Sequence, residues 1–136
     1  MDQLRGSVVD VRAAGIIIFK EIDGVKKILI LKSNKGYDLP KGKINHTEDP
    51  IACALRETEE ETGINDLNFV VGTKSIIIDK CQMYCATTTQ EPILIKNPET
   101  NKFEHTGYEW CDPIDAIQKL PRYLAVAVKW AIKHIQ

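Results

Sequence analysis

Aromatic residues are scarce in this chain, at 7% of its 136 positions, so few side chains are on hand to stack against a flat ligand. An excess of one charge is missing too. The 18 basic and 19 acidic side chains leave a formal net charge of −1. That balance argues against a protein whose main task is to coat DNA, although it leaves room for a local basic patch. No apolar run approaches the ~20 residues that span a bilayer. The opening MDQLRGSVVD lacks the apolar core of a secretory signal. Cytoplasmic residence, away from membranes, is the expectation these absences leave, and no segment points to a protein partner. Repeats, linkers and low-complexity tracts are also absent.

Cysteine is present but not in metal-ribbon spacing. Cys53, Cys81, Cys85 and Cys111 form no C-x2-C pair, and a domain with its own core does not need disulfides. Reduced thiols are expected. Cys81 and Cys85 would share one face of a strand, which leaves a zinc site with His105 as the alternative. The length fits one domain over residues 1–136, able to bury roughly two-thirds of its unfolded surface.

What is there reads as alternating strands and helices. Residues 8–20 (VVDVRAAGIIIFK) are rich in β-branched side chains, with Gly15 allowing close backbone approach or a bulge. Asp23-Gly24 is a hairpin signal before the returning strand KILILK. Asp49 and Pro50 predict a helix start, and Gly63 its stop. On that helix Ile51, Ala54, Leu55, Thr58 and Thr62 form the expected buried stripe. Residues 67–79, 82–89 and 91–96 read as extended, 97–101 (NPETN) as a surface loop and 108–111 as a last short strand. Helices follow over 113–119 and 122–134, the second with Leu124, Val128 and Ile132 on one face. This order predicts an α/β fold.

The chemistry concentrates between Gly42 and Ile64. Residues three and four apart share a helix face, so Glu57, Glu60 and Glu61 are expected to project together. Carboxylates crowded in this way repel unless a cation lies among them, and Mg²⁺ or Mn²⁺ suits oxygen ligands and phosphate partners. The bland alternative is a solvated face with pairs such as Arg56–Glu60. It accounts for one or two acids, not for four in five residues.

Gly42 is followed by five residues, Glu48, seven residues and then Arg56-Glu57-Thr58-Glu59-Glu60-Glu61-Thr62-Gly63-Ile64. The stretch resembles the box of the Nudix hydrolase family, G-x5-E-x7-R-E-U-x-E-E-x-G-U with U apolar, and departs from it only at Thr58. The resemblance implies an α/β/α sandwich with a mixed central sheet and helices on both faces. It also implies a pyrophosphohydrolase acting on nucleoside diphosphate derivatives. In it Glu57, Glu60 and Glu61 hold metal, Arg56 orients a box glutamate, and Glu48 is an auxiliary carboxylate.

A second segment, FEHTGYEWC, is similar to the E-H-x4-W run of the asymmetric bis(5′-nucleosyl)-tetraphosphatase branch, which implies Glu104 as a further metal ligand or general base. Asp79 and Glu91 are its reserves. The Pro40-Lys41-Gly42 lead is common in that branch as well, whereas Tyr37 stands where tryptophan is usual and Leu39-Pro40 replaces Pro-Pro. Substrate contacts are then expected at Lys41, Gly42, Tyr84 and Trp110, with packing the competing role for the two aromatics. Lys43 and Lys80 are weaker phosphate contacts. A dinucleoside polyphosphate is the expected substrate, with an RNA 5′ end or a damaged nucleoside triphosphate as alternatives. Binding without hydrolysis is the alternative from another class.

Overall fold

The computed structural model describes residues 10–135, so Val8 and Val9 of the first expected strand lie outside it. Strand β1 (Ala13–Ile22) turns through Asp23-Gly24 into β2 (Val25–Ser33). Both turn residues have positive φ, 53° and 79°, as the tight hairpin that matches strand twist requires. Short strands β3 (Gly36–Asp38) and β4 (Lys41–Lys43) follow, then helix α1 (Pro50–Thr62). Strands β5 (Ser75–Ile78), β6 (Cys81–Thr87) and β7 (Gly107–Cys111) precede helices α2 (Pro113–Lys119) and α3 (Arg122–His134).

The seven strands make one mixed sheet in the order β3-β2-β1-β6-β5, with β4 added to β1 and β7 to β2. Among the described residues only β1 and β6 run parallel; the other strand pairings are antiparallel. Alternation along β1 divides the core. Ile16 and Ile18 pack with Cys53 and Ala54 of α1, while Ile17 and Phe19 pack with Leu124 and Val128 of α3. The sheet therefore lies between helices on both faces. Gly15 sits where β4 crosses closest, and a Cβ there would overlap the Pro40 carbonyl oxygen and the Lys41 side chain. All four cysteines are buried and free.

Three expectations change. Residues 67–79 are strand only over Ser75–Ile78, because Gly72 turns through positive φ (63°) and Asn68 makes just one bridge, to Thr87. The segment 91–96 joins no strand. Its Ile93 amide donates instead to the Thr62 carbonyl at 2.7 Å, tying it to the end of α1. On α1, Leu55 is 39% exposed, and the buried positions are Cys53, Ala54, Thr58, Glu61 and Thr62. Glu61 is seven residues after Ala54, so the helical period turns it inward with the stripe. Asp49 precedes α1 without a side-chain cap, and Gly63 closes it at φ 73°.

Candidate active site

Glu57, Glu60 and Glu61 share one side of α1 but differ in depth. Glu61 is buried, the Glu57 side chain is 15% exposed and that of Glu60 is 56% exposed. They line a cleft of about 350 Å³ with Lys43, Asn45 and Arg56, opposite a wall from Leu94 to Glu99 and the pair Glu104-His105. A wider groove, about 670 Å³, lies at the far ends of β1 and β6, and none of the box glutamates reaches it.

Arg56 organises the near wall. Its Nε and Nη2 donate to the two Glu48 carboxylate oxygens at 2.8 and 2.9 Å, the two-pronged geometry that guanidinium favours. Nη1 donates to Glu57 at 3.0 Å and to Glu60 at 3.2 Å, and Nη2 also reaches the Lys43 carbonyl at 3.0 Å. These bonds, with the Asn45 amide, hold the Glu48 carboxyl down at about 2, and Glu48 raises the guanidinium pKa in turn. Glu48 thus stands behind Arg56 and does not line the cleft. Gly42 faces the Glu57 carboxylate, and a Cβ there would overlap its carbon and both oxygens.

Glu61 is the strained member. Burial pushes its carboxyl up to about 10, reinforced by a hydrogen bond with Glu57 and the charges of Glu57, Glu104 and Asp38. Its Oε1 is buried without a hydrogen-bond partner among the described residues. An oxygen acceptor desolvated without a donor is costly, and a hard divalent cation would both satisfy it and favour the charged form. As the side chains stand, no three acidic, histidine or cysteine groups among the described residues converge on one point, since Arg56 occupies Glu57 and Glu60. Glu60 is exposed and is held by one 3.2 Å bond to Arg56, which a turn inward would release. All-oxygen donors, surplus negative charge and the orphaned Glu61 oxygen fit Mg²⁺ or Mn²⁺.

That burial has a measurable consequence. Between the ordinary value of 4.5 and about 10, the folded chain retains a proton that the unfolded chain releases. Stability from this group is complete below the lower value and is lost as pH rises through the window. Glu61→Gln removes the loss. Without divalent cations, its Tm should exceed the parent's by at least about 3 °C at pH 8, with the gap closing near pH 4. Equal melting curves at both pH values would contradict this account of the buried carboxyl.

The structure does not bring the remaining expected contacts into the cleft. Lys41 pairs with Asp38 at 3.3 Å. Burial opposes its charge, but Asp38 and Tyr123 outweigh that and lift its pKa. Tyr84 is 4% exposed and packs against α1, so neither ring face is open for stacking. Trp110 donates its indole N–H to Glu91 at 2.9 Å, and the Lys20 ammonium lies 5.5 Å from its ring centroid. Glu91 is held by Trp110, Tyr108 and Lys20, while Asp79 and Lys80 form the β5–β6 turn with φ of 50° and 66°. Of the basic candidates it is Lys43 that reaches the cleft, along with Glu104.

Sequence reasoning missed Asp38, whose carboxylate lies between Lys41 and His105 (3.9 Å from Nε2). Burial would raise the Asp38 pKa, but His105 and Lys41 bring it below the ordinary range. Asn97 was also missed. No motif marks either one.

The NUDIX domain family matches residues 10–131. The asymmetrical bis(5′-nucleosyl)-tetraphosphatase of Caenorhabditis elegans is 26% identical over 118 residues, 79% of this chain and 83% of that protein. The m7GpppN-mRNA hydrolase dcap-2 of the same organism is 34% identical over 80% of this chain, which spans only 15% of that protein. In structure, a C. elegans Ap4A hydrolase binary complex superposes with a TM-score of 0.75 at 21% identity, covering 91% of this chain and 98% of the other. With the box glutamates gathered at one cleft and the family match spanning nearly all described residues, the chain belongs to the NUDIX family of pyrophosphohydrolases.

Proposed function

We propose that the chain hydrolyses a dinucleoside polyphosphate such as diadenosine tetraphosphate, with Mg²⁺ as cofactor and Mn²⁺ as a substitute. The observation that carries the reading is the cleft holding Glu57, Glu60, Glu61 and Glu104 around a buried carboxylate oxygen that has no partner among the described residues. Glu57, Glu60 and Glu61 would hold the cation, with Glu104 as a further ligand or the base. When bound, the cation neutralises phosphate charge and lowers the pKa of nearby water.

The protein's own groups supply the rest. Arg56 sets the rotamers of Glu57 and Glu60 through Nη1 while Glu48 anchors its other edge. Glu104, exposed at the opposite wall, takes a proton from the attacking water; such a base must lie within hydrogen-bond reach of it. Lys43 offers phosphate oxygens a point charge at the rim. Leu94 and Ile95 form the apolar part of the wall.

Support for this substrate comes from the E-H-x4-W segment and from two similar tetraphosphatases, the second from Rattus norvegicus at 36% identity over 69 residues. An RNA 5′ end is the second reading, favoured by similarity to dcap-2 and to the mRNA-decapping protein g5R of African swine fever virus. Product analysis on diadenosine tetraphosphate, capped and triphosphorylated RNA, and 8-oxo-dGTP tests the choice. Cleavage of the first compound into two nucleotides is expected. No cleavage of it, with turnover of a capped RNA, would transfer the assignment to RNA. Turnover of 8-oxo-dGTP to a monophosphate and pyrophosphate would mark a sanitation enzyme, and binding of the panel without any turnover a nucleotide-binding domain.

A further inference from the structure

Glu104 is exposed on a loop, where a glutamate ordinarily samples several rotamers. Here one side chain restrains it. Asn97 Nδ2 donates to Glu104 Oε1 at 3.1 Å, and no other hydrogen bond to the Glu104 side chain is made among the described residues. The orientation of the Asn97 amide is fixed in turn, because its Oδ1 accepts the Glu99 backbone N–H at 2.8 Å. Reversing the amide would set two donors against each other there. The Asn97 backbone is committed as well. Its N–H donates to the Lys102 carbonyl at 2.8 Å, and its carbonyl accepts the Asn101 N–H at 2.7 Å. Asn101 makes the return at φ 56°, a conformation that asparagine tolerates better than most residues. Every polar group of Asn97 therefore has a partner, and the one side-chain donor pointing out of the loop meets Glu104.

We propose that Asn97 is a positioning residue for the reaction, holding Glu104 by Oε1 so that Oε2 faces the cleft. The proposal rests on the role given to Glu104 above. Asn97 touches no reacting atom; it acts by sparing Glu104 the search among rotamers. Small displacements of a reacting group can cost about a hundredfold in rate.

Asn97→Asp is the informative change because it is nearly isosteric. One oxygen still accepts the Glu99 N–H, so the loop keeps its internal bond. The other replaces the donor and meets the Glu104 carboxylate as a like charge. Expected is a fall in kcat of about tenfold to a hundredfold, with KM shifted by less than about threefold. On a Glu104→Gln background the amide introduced at 104 donates to the carboxylate introduced at 97. There the second change should cost less than about twofold in kcat. Tm, measured without divalent cation, should fall for Asn97→Asp alone and recover in the double variant.

Wild-type turnover in Asn97→Asp would overturn the proposal, and so would an equal loss in both backgrounds, which marks general loop damage. Unimpaired Glu104→Gln would remove Glu104 from the reaction and overturn the proposal too, yet leave the box reading intact. That reading fails separately, if Glu60→Gln keeps full activity.

Discussion

Glu60→Gln is expected to fold like the parent and to lose three orders of magnitude or more in kcat. The two halves of this prediction come from different observations. The Glu60 side chain is 56% exposed, and its bond to Arg56 Nη1 at 3.2 Å is an i,i+4 surface pair. Such pairs contribute about 0.3–0.5 kcal/mol, so Tm should move by no more than about 2 °C. In the proposed reaction Glu60 turns toward the cation, a much larger role than the surface pair. Three orders of magnitude correspond to about 4 kcal/mol of transition-state stabilisation, well beyond the surface pair. Steady-state kinetics and a melting curve on the same preparation check both halves. Near-normal turnover would remove Glu60 from the reaction.

Gly42→Ala should lower both activity and stability. Gly42 has no positive φ, so its need for glycine is one of space, not of backbone conformation. A Cβ there would sit within the Glu57 carboxylate. Either Glu57 swings away from Arg56 Nη1, or β4 parts from α1. Overpacking of this kind costs about 1–3 kcal/mol, and displacing Glu57 should cost about a hundredfold in kcat. Adding Glu57→Ala should recover the lost stability, because the obstructing group is gone, while activity stays low. If Gly42→Ala kept full kcat, Glu57 would not need the position it holds.

The box was legible because its spacing is fixed by one helix and one preceding strand, both local in sequence. Arg56 and Glu60 meet where a 3.6-residue period places them, four residues apart. Even so, the depth of Glu61 required the sheet, since its burial depends on which side of α1 faces β1 and β6. Substrate contacts were harder to read for the same reason. In β4 successive side chains alternate faces, so Gly42 meets Glu57 while Lys41 turns to Asp38 and Tyr123. Nothing local to Pro40-Lys41-Gly42 announces those partners. Tyr84 lies on β6, between β1 and β5, and α1 covers its side of the sheet. The far wall was hidden by a misleading pattern. Residues 91–96 look like a strand but find no ladder, and are held instead by Thr62, Lys20, Trp110 and Tyr108.

Direct binding tests the proposed divalent-cation centre of Glu57, Glu60 and Glu61 without any choice of substrate. Mn²⁺ titrated into the protein, with free ion counted by electron paramagnetic resonance, gives the isotherm. Saturable binding to the parent chain is expected, with at least about tenfold weaker binding to Glu60→Gln and Glu61→Gln. Isotherms identical for the parent and both variants would contradict it.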